Sequence, residues 1–125
     1  MAAGPAWGQQ AQGAPPPPDG VDYLMAVQCS ALNSALAVFQ PNNLARNDDH
    51  RADRFRAWAE MRAAEAKQNP AAAAKDIAAS RKDYLAEAGS GPNEARRARL
   101  FEIHLGQWRS CDSLSGVDDI VIVGG

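Results

Sequence analysis

No threonine occurs among the 125 residues, cysteine and histidine appear twice each, and the aromatic complement is three Trp, three Phe and two Tyr. Each scarcity excludes something. The chain has no Gly-rich phosphate loop, no Ser-x-x-Lys, no Gly-x-Ser-x-Gly and no His-Glu-x-x-His, so it carries none of the residue sets that announce phosphoryl or acyl transfer. Neither Cys29 nor Cys111 has a second Cys or a His at ligand spacing, which argues against a metal site, and the absence of Cys-x-x-Cys-His excludes covalent haem attachment. No apolar run reaches the roughly 18 residues that a spanning helix needs. The 13 Lys and Arg are interspersed with 15 Asp and Glu for a net charge of −2, a pattern unlike a nucleic-acid or anionic-membrane surface. These absences favour a protein without cofactor or metal, and lean away from an enzyme.

What remains is mostly alanine and helical punctuation. Asp22 to Phe39 carries Met25, Cys29, Leu32, Leu36 and Phe39 at alternating spacings of four and three, the seam of an amphipathic helix that Gln40-Pro41-Asn42-Asn43 ends. Asn47-Asp48-Asp49 are good capping residues for a second helix to about Gln68, with Ala52, Phe55, Trp58, Ala59 and Met61 toward the core. Asn69-Pro70 restarts the chain as cap and first helical residue, and a third helix runs to Ala88 with Ala73, Ile77, Tyr84 and Leu85 inward. After Gly89-Ser90-Gly91-Pro92, a fourth extends from Asn93 to about Asp112, with Phe101, Leu105 and Trp108 as its main core residues and Leu100 and Ile103 flanking them.

Short turns between four helices predict an all-α, up-down-up-down bundle over residues 22–114, with a three-helix core and a loose alanine-rich third helix as the alternative. In such a bundle the start of the first helix lies beside the end of the last, which brings Cys29 to Cys111. A disulfide closing that loop contributes roughly 4 kcal/mol by the chain-entropy model. It implies an oxidising compartment, periplasmic or secreted.

The ends differ from the middle. Met1 to Gln9, with small residues at Ala6 and Gly8, reads either as the trimmed remnant of a signal peptide or as a disordered tail. Ala11 to Gly20 holds four consecutive prolines and reads as an extended spacer, so residues 1–21 are expected to be a disordered linker. At the other end, residues 115–125 are expected to be a flexible aliphatic tail. Its Ile120-Val121-Ile122-Val123 suits a strand for which the chain offers no second strand.

Over about seven residues, Asp118-Asp119-Ile120-Val121-Ile122-Val123-Gly124 resembles the acidic-then-aliphatic box through which TonB-dependent outer-membrane receptors engage their energising protein by strand addition. It departs from that pattern in lying at the C-terminal end and in lacking Thr before the glycine. The resemblance implies a strand-donating segment, with Asp118, Asp119, Ile120, Val121, Ile122 and Val123 as the partner-binding residues.

Other candidate sites are weaker. Phe101, His104, Trp108 and Cys111 share a helical stripe, so His104 is either a ligand-binding histidine or one bonded to a carbonyl or carboxylate. With Trp108, Trp58 and Met25 it defines a candidate pocket for a small apolar or haem-like molecule. His50 beside Asp48, Asp49 and Asp53 offers a cation site or an exposed cap region. Arg51, Arg54, Arg56 and Arg62, like Arg96, Arg97 and Arg99, are expected to pair with Glu60, Glu65, Glu94 and Glu102 on a solvated face. The function expected is therefore a small, exported, non-catalytic binding or adaptor protein of the bacterial cell envelope, monomeric or homodimeric, with a ligand-binding bundle as the alternative.

Overall fold

The computed structural model describes residues 15–40 and 44–116, giving the backbone alone for 44–46, and all of its regular structure is helical. Four helices follow in order: α1 (Tyr23–Val38), α2 (Leu44–Glu65), α3 (Ala71–Glu87) and α4 (Asn93–Ser115). Their directions can be read from side-chain pairs. Ser30 Oγ of α1 donates to the Ala52 carbonyl of α2 at 2.7 Å, while near the opposite end of α2 Arg62 Nε donates to Val21 just before α1, so the two run antiparallel. Tyr84 with Gln107 and Glu87 with His104 set α3 antiparallel to α4, and Cys29–Cys111 with Leu36–Arg97 set α4 antiparallel to α1. The result is the up-down four-helix bundle.

Local chemistry explains the ends. Asp22 caps α1, its Oδ1 accepting from the Met25 amide at 2.8 Å. Asn69 Oδ1 accepts from the Ala71 amide at 3.0 Å, and Pro70 already has helical dihedrals, so the expected asparagine cap and first-position proline both occur. Beyond α2 the chain closes in a Schellman arrangement: Gln68 N donates to Ala63 O at 2.8 Å and Lys67 N to Ala64 O at 3.0 Å, with Lys67 at φ 59°. That left-handed position normally takes glycine. Gly89, at φ +72° after α3, takes such a position without steric penalty.

Three expectations need correction. The first helix is the hub of the bundle and not a one-sided seam: Ala26, Val27, Ser30, Ala31, Asn33 and Ala35 are buried along with Cys29, Leu32 and Leu36, their small side chains letting neighbours close in on most sides. Next, α2 begins at Leu44, one turn before the anticipated cap, so Asp48 lies within the helix and is buried. Finally, Leu105 is 40% exposed, and the fully buried positions of α4 are Leu100, Cys111 and Ser115. The disulfide turns Cys111 inward, which places residues about three turns before it and one turn after it, Leu100 and Ser115, inward as well. A kink at His104 (φ −117°, ψ 26°) further shifts the register of the two halves.

The core is layered around Leu32, Leu36, Phe39, Phe55, Trp58 and Leu100, all close to fully buried. Phe55 and Trp58 meet edge to face with centroids 5.1 Å apart. The last helix is the least embedded element, with Ile103 and Leu105 open to solvent.

Candidate functional site

Cys29 and Cys111 are joined in a disulfide, Cα to Cα 5.6 Å and 82 residues apart, with both residues fully buried. It ties α4 to the hub helix. Beside it lies a polar cluster that the sequence placed elsewhere. Asp48, 1% exposed, accepts from Arg51 Nη2 at 2.8 Å and from Arg97 Nη1 at 2.9 Å. Arg51, itself 3% exposed, also donates through Nε to Asn33 Oδ1 at 3.0 Å, and it faces Asp112 at 3.4 Å. Asn33 in turn donates to the Cys29 carbonyl at 2.9 Å, linking the cluster to the backbone at the disulfide.

Aromatic rings complete this arrangement. Arg51 lies 5.4 Å over the Trp108 ring and Arg97 lies 4.9 Å over Phe101, while Phe101 and Trp108 pack with centroids 5.1 Å apart. The two arginines and two aspartates balance in charge. Burial holds the Asp48 carboxyl above its ordinary range, and the charges and hydrogen bonds of Arg97 and Arg51 offset only part of that rise. Such a cluster, with its donors turned onto its own acceptors, locks three helices together.

Four arginines, Arg97 among them, reach carbonyls at or just beyond helix ends. Arg97 Nη1 donates to Leu36 O at 2.7 Å, Arg96 Nε to Gly89 O at 2.9 Å, Arg99 to Ala88 O and Ser90 O, and Arg54 Nη1 to Ser115 O at 2.8 Å. Each places a cation at a helix C-terminus, where the unpaired carbonyls and the dipole favour it. Glutamate partners are the exception. Arg62 with Glu65 at 2.8 Å is the expected pair, and exposed Arg56 finds Asp53 at 3.8 Å.

The four residues expected around a ligand have separate surroundings. Trp58 donates through Nε1 to the Pro15 carbonyl at 2.6 Å, Trp108 packs with Arg51 and Phe101, and Met25 is half-buried against the core. His104 Nε2 pairs with Glu87 Oε1 at 2.6 Å, and its ring meets Tyr84 edge-on at 4.9 Å. A cleft of about 510 Å³ does open at the end of α1, but Phe39, Gln40, Asn93, Glu94, Arg97, Ala98 and Phe101 line it, and none of those four. His50, Asp49 and Asp53 are exposed, and among the described residues no three His, Cys, Asp or Glu side chains are grouped to hold a metal ion. Asp118, Asp119, Ile120, Val121, Ile122 and Val123 lie outside the described residues.

Sequence reasoning missed Asp48 as the partner of Arg51 and Arg97. The Asp48–Arg51 spacing of three within a helix was the available signal; Arg97, 49 residues away from Asp48, had none. Also missed was the anchoring of Pro15 to Val21 through backbone carbonyls.

Fold and site together define a disulfide-stapled helical bundle with an internal ion-pair cluster. Comparison with protein-family models, curated proteins and solved structures finds no match to the chain.

Proposed function

We propose that the chain is a small extracytoplasmic binding or adaptor module of the bacterial cell envelope, non-catalytic, that docks through its C-terminal segment. The observation that carries the compartment is the buried Cys29–Cys111 disulfide, a bond that persists in oxidising surroundings and is rare in reducing ones. No helix among the described residues is long and apolar enough to cross a membrane. The binding role rests on the acidic-then-aliphatic run from Asp118 to Val123, which suits strand addition to a partner sheet.

The test is made in the bacterial host. Thiol trapping of intact cells should find both cysteines oxidised and the protein in the envelope fraction, with helicity and Tm unchanged on deletion of Val117 to Gly125. Co-purification of an envelope protein should be lost with that deletion; retained binding would contradict docking by the tail.

A further inference from the structure

Three backbone carbonyls ahead of α1 are spaced three residues apart and are read by two side chains of α2. Trp58 Nε1 donates to Pro15 O at 2.6 Å, Arg62 Nη2 to Pro18 O at 2.9 Å and Arg62 Nε to Val21 O at 2.8 Å. A weaker contact joins Arg62 to Pro17 O at 3.5 Å, and Glu65 holds the guanidinium from its far side at 2.8 Å. Prolines fix φ and keep the residue before them extended, so a run of four forms a strap that turns about once every three residues. One side of such a strap presents a carbonyl per turn, here those of Pro15 and Pro18, and the Val21 carbonyl follows beyond the turn that ends it. Trp58 and Arg62, four apart on α2, share a helix face and can follow that repeat.

The contact is chemically selective without reading side-chain identity. It uses donors alone, and a proline run offers acceptors alone because its nitrogens carry no hydrogen. The strap ends in a turn, Val21 N donating to Pro18 O at 2.9 Å, after which Val21 is fully buried, so the occupant is tethered beside its own receptor. Tethering sets an effective concentration in the millimolar range, which a free segment must overcome.

We propose that the Trp58–Arg62 face of α2 is a receptor for extended proline-rich chain, and that Pro15–Pro18 occupies it as an intramolecular competitor. The partner it fits is a separate proline-rich segment with carbonyls free at three-residue spacing. Neither the C-terminal segment nor the compartment enters this inference.

The test uses the full chain and, as probe, a synthetic peptide Ala-Pro-Pro-Pro-Pro-Asp-Gly-Val, followed through the Trp58 indole N–H resonance, which Trp58→Phe identifies. Replacing Pro15 to Pro18 by glycine should raise the exchange rate of that indole hydrogen at least tenfold. Titrating the peptide should then shift the resonance and restore protection, with an affinity at least tenfold above that for the unaltered chain. Arg62→Ala in the same background should weaken peptide binding about tenfold or more, in line with loss of charge-assisted hydrogen bonds. Circular dichroism and blocked alkylation of both cysteines verify the fold; should the four-glycine chain fail either, Pro15→Gly alone takes its place. A peptide that leaves the Trp58 resonance unmoved in the loosened chain, or that binds equally well without Arg62, overturns the proposal.

Discussion

Arg97, near the start of α4, reaches into the bundle to place its Nη1 2.9 Å from Oδ2 of Asp48, a carboxylate buried in α2. The same Asp48 holds Arg51 through its other oxygen at 2.8 Å. One acidic side chain thus neutralises guanidinium groups from two helices. Removing it should cost more than an ordinary truncation, because a buried Arg51 would be left without that counter-charge. Asp48→Ala is expected to lower stability by about 3 kcal/mol in urea denaturation. Asp48→Asn, which keeps an acceptor in place but removes the same counter-charge, should recover only part of that loss.

Lys67 supplies the opposite kind of prediction. It occupies a left-handed position at φ 59° that glycine adopts without steric penalty. Lys67→Gly should stabilise the protein by about 1 kcal/mol, seen as a higher urea midpoint at unchanged slope.

Alkaline pH should unfold the protein through its tyrosines. The Tyr23 hydroxyl is pushed up to about 12 by burial, by its hydrogen bond to Asp76 and by that residue's charge. Tyr84 is also raised, burial again leading. Both groups keep their protons in the folded state where the unfolded chain loses them. Their contribution is therefore complete below about pH 10 and is lost as pH rises through 10 toward 12. Tyr23→Phe should flatten this decline in Tm against pH, while leaving the profile near neutrality unchanged.

The helices were legible because their punctuation is local. Asp22 and the Asn69-Pro70 pair act on neighbouring amides or on their own backbone angles, and two cysteines near opposite ends of the helical region leave few arrangements of a short-looped bundle. Charge partnership was not legible, since Arg97 chooses among acids by three-dimensional proximity, and the nearer glutamates in sequence proved irrelevant to it. The burial of Leu100 in place of Leu105 was hidden for a related reason. Both are leucines one helical turn or so apart, and only the inward anchoring of Cys111 and the kink at His104 decide between them. The strap was missed because its anchors are carbonyls, which every residue has.

The bundle depends on the disulfide most of all, since α4 contributes few fully buried residues and is held to the hub by Cys29–Cys111. The deciding measurement is the intact mass of the protein isolated from its native host, alkylated under denaturing conditions with and without reductant. A deficit of two hydrogens with neither cysteine labelled before reduction, and both labelled after it, is the predicted result. Two labelled thiols without reductant would contradict the staple, and with it the oxidising compartment and the proposed envelope role.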